Sequence, residues 1–477
     1  MEGEEEMSEF SDILEKHIMM CGLTENYLSN ITGFSRSYIS KLINGQRVSP
    51  NIEKMTLLFN MLNLTPEEYA VLWDLYLKER LGNEKYQLNK EVLDFVDSFH
   101  MSSNINFKMD VSFQIPDVKV ITGRIDVEYF IKMVIYKEAN KKSGYLRVAM
   151  QGESGRVLEA IRDALMMNDN FRVSHLVCME KMADKNSYEN IRLLKSLIPI
   201  ILSGHEYNYH VYYYYDNIQA HFNRFSWMPY CVITEDYYVC VDASFEHGVI
   251  YKDEDIRTFM IDLYEGMIKE CQLLCHPIYN NEQMIQYYSQ INVITGNTYT
   301  IAYQPCMGIL DIEDLFDKYE TDEYKTTLEC LKDRIRKRRE IYEKNQWKLV
   351  TYFTREGIEE FMRTGFSREL PKGIYGEISY EDRKKVIRSM LRMAKDDIYY
   401  PYLIDERKYK WPEEVMVESS DLMHLGLFYN VNQRYNRFII QEVSLACLFH
   451  KFMVNFRDSM YTKTREETIS YLESLVE

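Results

Sequence analysis

Leu23-Thr24-Glu25-Asn26-Tyr27-Leu28-Ser29, followed by Gly33-Phe34-Ser35-Arg36-Ser37-Tyr38-Ile39-Ser40-Lys41-Leu42-Ile43-Asn44-Gly45-Gln46-Arg47, is the stretch that decides how this chain is read. Thr24 opens a short helix with Leu28 and Ile31 inward, and Gly33 breaks it. Ser35 is placed to cap the next helix, which carries Ile39 and Leu42 inward, and Gly45 ends that one. Two helices joined at Gly33-Phe34 cross steeply, which presents the second one outward. Its face opposite Ile39 and Leu42 holds Arg36, Ser37, Tyr38, Ser40, Lys41 and Asn44, with Gln46 and Arg47 just past its end. Arg and Lys reach guanine acceptors, Asn pairs with adenine, and Ser or Tyr bonds phosphate.

Outward from this pair the pattern stays helical. Phe10, Ile13, Leu14, His17, Ile18 and Cys21 recur at helical spacing before Gly22. Ser49-Pro50 predicts the start of a fourth helix, with Ile52, Met55, Leu58, Phe59 and Leu62 on one stripe. Thr65-Pro66-Glu67-Glu68 reads as a capping box that opens a fifth helix, running to about Arg80. The joint order of turn glycine, capping serine, buried isoleucine, ending glycine and later proline resembles the phage-repressor (Cro-like, xenobiotic-response-element) helix-turn-helix family, over about 60 of the 477 residues. The resemblance implies an all-α, lambda-repressor-like domain over residues 1–82 and a transcriptional regulator that binds double-stranded DNA. Arg36, Ser37, Tyr38, Ser40, Lys41, Asn44, Gln46 and Arg47 are the expected contact residues. One position departs from the family. Where the second position of helix two is often a glutamine touching phosphate, this chain has Glu25, which either repels phosphate or serves the helix N-terminus.

The formal net charge is −17 and the pI about 5.2, which argues against coating nucleic acid or an acidic membrane with the whole surface. Between Leu23 and Lys54, however, four basic residues (Arg36, Lys41, Arg47, Lys54) outnumber two acidic ones (Glu25, Glu53), a local balance of +2. Any DNA contact is therefore local. Nine scattered cysteines and an acidic start, Glu2 to Glu6, fit reduced thiols in a cytoplasmic protein without a signal peptide. The longest apolar stretch, around Leu197 to Leu202, is too short to span a bilayer, so no membrane partner is expected.

Beyond a linker at Gly82 to Gln87, β-branched and aromatic runs alternate with helical stretches. Strands are expected at Tyr145–Gln151, Phe171–Cys178 and Asn208–Tyr215, with helices at Gly155–Met167 and Tyr188–Ile201 between them. A hairpin at Tyr230–Thr234 and Tyr237–Asp242, a short strand at Val249–Tyr251 and a helix from Asp253 to Leu274 follow. The order hairpin, strand, helix returns over Glu414 to Phe456. The expected layout is therefore an α/β sensor domain over 90–277, a helical connector over 278–345 and an α/β domain over 346–477; the repeated order admits a duplication of the two α/β units, but reads first as chance similarity of common elements.

Several constellations invite chemistry, and each has a plainer explanation. Gly152-Glu153-Ser154-Gly155-Arg156 between strand and helix could cradle an anion, but reads first as a tight turn. Tyr207, Tyr209, Tyr212 to Tyr215, His205, His210 and His221 could line a pocket, but read first as a two-faced strand. Cys271, Cys275 and His276 suggest a metal but lack a second ligand pair, so no metal is expected. Lys332 to Arg339 reads as a solvated connector helix paired with Glu340 and Glu343. The element order from Tyr145 to Asp242 resembles the phospholipase-D-like fold, without its His-x-Lys pattern. There is no Gly-x-Ser-x-Gly elbow, His-Glu-x-x-His or P-loop, so neither enzyme activity nor a cofactor is expected. The expected function is sequence-specific regulation by a homodimer, whose C-terminal region senses a small-molecule or peptide effector. The rivals are a protein-interaction module on the same scaffold and an enzyme fused to a DNA-binding domain.

Overall fold

A computed structural model describes residues 8–49, 51–101, 114–181, 188–203, 208–216, 227–278, 283, 296–321, 324–370, 374–421, 424–431 and 434–477. The chain divides into two units, Met1–Glu91 and Val92–Glu477.

The first unit is all helix: α1 (Glu9–Met20), α2 (Glu25–Thr32), α3 (Arg36–Ile43), α4 (Ile52–Asn60), α5 (Pro66–Leu81) and the start of α6 (Asn83–Asp97). Each of the first five begins on a short polar side chain that accepts a hydrogen bond from an otherwise unpaired backbone N–H. Ser8, Thr24, Ser35, Asn51 and Thr65 do this in turn. Thr65 and Glu68 form the reciprocal capping box that the sequence announces. Phe10, Leu14, Leu28, Ile39, Leu42, Met55, Leu58, Phe59, Leu72 and Tyr76 make one core. At roughly 1.5–3 kcal/mol for each large apolar side chain removed from water, this core holds the small domain together.

Three expectations fail here. Ile31 is 42% exposed rather than inward, because Leu28 and Thr32 take the buried face of so short a helix. Asn51, not Ser49, caps α4. Ser49 instead offers its carbonyl to the Tyr76 hydroxyl at 2.7 Å, and Pro50 lies outside the described residues. The linker expected at Gly82 to Gln87 is helical from Asn83 onward as the first turns of α6.

The second unit holds two sheets. The first follows the order β1-β7-β6-β5-β2-β3-β4-β8 and the second β9-β15-β14-β13-β10-β11-β12. In the first, β1 (Val118–Thr122) pairs antiparallel with β7 (His247–Tyr251), and β2 (Tyr145–Ala149), β3 (Arg172–Met179) and β4 (Tyr209–Tyr215) are parallel. The antiparallel run β5 (Tyr230–Ile233), β6 (Tyr238–Val241), β7 completes it, with β8 (Gln272–Leu273) beside β4. In the second, β9 (Cys275–Ile278) pairs antiparallel with β15 (Arg434–Ile440). There β10 (Thr298–Ile301), β11 (Leu349–Phe353) and β12 (Tyr399–Leu403) are parallel, and β13 (Val415–Ser420), β14 (His424–Val431) and β15 run antiparallel. Strand for strand, β1 to β7 and β9 to β15 share one order and one set of directions, so the second unit is a duplicated α/β fold.

The helices repeat as well. The first half has α7 (Arg124–Ala139), α8 (Gly155–Met167), α9 (Glu189–Ser203) and α10 (Glu254–Glu270). The second has α11 (Glu313–Tyr319), α12 (Lys325–Asn345), α13 (Arg355–Thr364), α14 (Tyr380–Lys395), α15 (Val443–Phe456) and α16 (Arg465–Ser474). The halves join where Asn190 donates to Ser444 Oγ at 2.7 Å and Tyr215 donates to Glu442 at 2.5 Å. Glu442 is fully buried and also caps α15 through the Ser444 and Leu445 N–H groups.

The helical connector expected over 278–345 is not a separate element. It contains β10, and α11 and α12 pack into the core of the second half. The second half begins at β9, not at residue 346, because its first strand lies at the sheet edge beside its last. Without pairing partners in view, Cys275 to Ile278 carries no strand signal.

Candidate nucleic-acid interface

The turn between α2 and α3 sets the geometry. Gly33 takes φ +66°, a left-handed conformation that glycine adopts without strain, and ends α2. Ser29 donates to the Phe34 carbonyl at 2.6 Å, and Thr32 donates back to Leu28 at 2.7 Å. Lys54 Nζ donates to the Gly33 carbonyl at 2.7 Å and lies over the Phe34 ring at 4.8 Å. The crossing of the two helices is thus fixed by side chains from α2 and α4, and Ile39 and Leu42, both wholly buried, pin α3 from beneath.

On the outer side, Arg36, Ser37, Lys41, Asn44, Gln46 and Arg47 are exposed or partly so, and Tyr38 and Ser40 are half-buried. Tyr38 stacks on Phe34 at 4.7 Å, with ring planes 9° apart, and Arg47 sits 5.1 Å from its centroid. That packing holds Arg47 close to α3, although it lies in the loop beyond. The sequence misses one feature. Arg36 Nε donates to Glu25 Oε2 at 3.1 Å, so Glu25, on the first turn of α2, neutralises the first cation of α3. The two are far apart in sequence and on different helices, so no periodicity announces the pair. With Lys54 engaged at Gly33, Lys41 and Arg47 are the cations of this face that make no ion pair among the described residues. The surface offers two point charges, an amide at Asn44 and hydroxyls, the groups that read base edges and hold phosphate.

The other constellations resolve into structure. At the Gly152–Arg156 turn, Ser154 caps α8, and the place of an anion is taken by Glu128, which accepts from Ser154 at 3.0 Å and pairs with Arg156 at 3.5 Å. Of the tyrosine and histidine run, Tyr209, His210 and Tyr212 to Tyr215 form β4, while His205, Tyr207 and His221 lie outside the described residues. Cys271 ends α10 and Cys275 stands in β9, so they do not share a helix face. The basic run of α12 is solvated only in part, at Arg336 and Lys337. Lys332 pairs with Asp317 and Glu329, Arg336 and Lys337 pair with Asp333, and Arg339 reaches Glu313 at 2.5 Å. Arg338 is buried. No helix among the described residues is long and apolar enough to cross a membrane.

No curated protein matches the chain by sequence. Among solved structures the chain is similar to the archaeal chromatin protein TrmBL2, described as showing a novel mode of DNA binding, at 14% identity over 44% of this chain and 70% of that one, TM-score 0.23. It is also similar to phosphatidylserine synthase of Haemophilus influenzae Rd KW20, at 10% identity over 80% and 95%, TM-score 0.24. A third similarity is to polyphosphate kinase of Porphyromonas gingivalis, at 8% identity over 78% and 56%, TM-score 0.25. Likenesses this weak bear no functional weight. The family model for helix-turn-helix domains matches residues 15–69, the span of α2 to α4 with its flanks, and this part of the chain is a helix-turn-helix domain.

Proposed function

We propose that the protein is a sequence-specific DNA-binding transcriptional regulator that acts as a homodimer, with a non-catalytic second unit that senses an effector. The observation that carries this is the outer face of α3: Lys41, Asn44, Gln46 and Arg47 stand together at the surface around a helix anchored by Ile39 and Leu42. One such helix covers few base pairs, and specificity against a genome of competing sites calls for two. A surface suited to pairing two copies is the stripe Ile256, Phe259, Leu263 and Met267 on α10, each 38–61% exposed. Its counterpart in the other half, α15, buries Leu445, Phe449, Phe452 and Phe456.

The test is to map the full-length protein's bound sites across its genome and then to measure affinity for one site at fixed salt. Lys41→Ala and Asn44→Ala are each expected to cost roughly 1–3 kcal/mol, with Asn44→Ala relaxing the preference at one base pair. Unchanged affinity in both variants overturns the assignment. The Glu25–Arg36 pair favours a second reading, in which the scaffold binds a protein. Absence of any salt-dependent DNA retention would turn the argument to it.

A further inference from the structure

Arg338, on the inner face of α12, is 8% exposed, and its Nε and Nη2 have no hydrogen-bond partner among the described residues. It borders a cavity of about 80 Å³ between α11, α12 and the face of the second sheet, several times the roughly 10–15 Å³ that one water needs. Across the cavity Glu418 stands on β13, 3.9 Å from Arg338 and 3.6 Å from the wholly buried Arg437. These are Coulombic distances, beyond hydrogen-bond reach. The Arg437 guanidinium stands over the ring of Phe428 at 4.1 Å, its neighbour in the β14–β15 register. Gly426, opposite Glu418 on β14, carries no side chain between the two, so Arg437 reaches Glu418 diagonally.

Arg334, Arg338 and Arg437 line the cavity together with Glu369 and Glu418. Burial raises the pKa of Glu369. His424 adds no charge near neutrality, because burial lowers its pKa to about 4. Burial also opposes ionisation of Glu418, but Arg338 and Arg437 outweigh it and hold that carboxyl at about 2. Much of the remaining wall is apolar, with Phe316, Leu331 and Ile335 among its residues. A buried guanidinium with unmet N–H donors is costly unless an anion meets it, and its fork matches a carboxylate with two parallel hydrogen bonds.

We infer that this cavity binds a small organic monoanion, a carboxylate on a short apolar chain, with the carboxylate on Arg338 and the chain against Phe316, Leu331 and Ile335. Inorganic phosphate leaves the apolar wall unmet. A free amino acid brings an ammonium group up against the Arg338 guanidinium, a like-charge repulsion. The assignment is independent of what the helix-turn-helix domain binds, so loss of one leaves the other standing.

The test titrates the full chain with sodium hexanoate by calorimetry and by thermal shift, beside acetate, hexan-1-ol and inorganic phosphate. Hexanoate is expected to bind saturably at one site per chain and raise the melting temperature, with the other three weaker by about tenfold or more. Arg338→Gln is expected to weaken hexanoate by about tenfold or more, and Leu331→Phe, which fills the apolar wall without touching the charges, by a similar factor. No saturable binding to the folded wild-type protein overturns the inference, as does phosphate or hexanol binding as well as hexanoate. A folded Arg338→Gln variant with unchanged affinity also overturns it. If that variant does not fold, a folded Leu331→Phe variant that binds normally does so instead.

Discussion

Glu25 is the residue whose meaning the structure changes most. As a carboxylate near the expected path of a phosphate it is a repulsion, and as the partner of Arg36 at 3.1 Å it also removes a cation from the interface. Glu25→Gln therefore acts twice on the same side of the balance. Both side chains are at least a third exposed, so the pair adds little stability, and the variant is expected to fold within about 1 kcal/mol of the wild type. DNA affinity is expected to rise for all sequences alike, with the salt dependence steeper by about one phosphate contact. Fluorescence anisotropy across a salt series reads both, and an unchanged slope argues that Arg36 does not reach the duplex. Glu418 supplies a second prediction at this scale. Its pKa falls from 4.5 to about 2 in the folded chain, so the stability it contributes is full above about 4.5 and is lost as the pH falls towards 2. Glu418→Gln leaves Arg338 and Arg437 without their buried counter-charge and is expected to cost about 3 kcal/mol near neutrality. The gap between wild type and variant should close between pH 4.5 and 2 in calorimetric melts of the full chain; a gap independent of pH refutes the assignment.

Among the elements, α10 and α15 occupy equivalent places, directly after β7 and β15, and differ in what covers them. The inner side of α10 is firmly held: Tyr264 donates to the Ser174 carbonyl at 2.7 Å. Its outer stripe advances by three or four residues through Ile256, Phe259, Leu263 and Met267, the spacing of a packed helix face. Phe259→Asp combined with Leu263→Asp changes only exposed positions, so the fold should survive. The expected outcome by light scattering is a dimer in the wild type and a monomer in the double variant, with weaker binding to a two-fold site. A double variant that remains dimeric shows that the copies pair elsewhere. The basic run of α12 teaches a related lesson. Leu328, Leu331, Ile335 and Tyr342 form its buried stripe, and Arg338 falls on that same stripe. A run dense in cations reads as a solvated surface until the neighbouring strands are in place.

For the whole molecule, the core of the first unit is closed by residues from Phe10 to Tyr76, so residues 1–82 are expected to fold alone. A single cooperative melt of that fragment, with helical circular dichroism, is the predicted result; a fragment that melts without cooperativity argues that the domain depends on the second unit for its stability. The duplication in the second unit shows how far patterning carries. The hairpin, strand and helix that recur over Tyr230 to Glu270 and Val415 to Phe456 are local and strongly patterned, and the repeat is visible in them. Its extent is not, because β1 and β9 join their sheets through partners more than a hundred residues away.

By itself the sequence determined the helix-turn-helix domain: its caps at Thr24, Ser35 and Thr65, its turn at Gly33, its inward Ile39 and Leu42, and the outward set from Arg36 to Arg47. These are decided within a few residues, by hydrogen bonds from a backbone N–H to a side chain three positions earlier and by a helical period, so they are written locally. Tertiary structure alone decided that Glu25 meets Arg36, that the second half begins at β9, and that Arg338, Glu418 and Arg437 converge on one cavity. Those facts depend on strand order and on which helix covers which sheet, and burial is what gives the charges their strength.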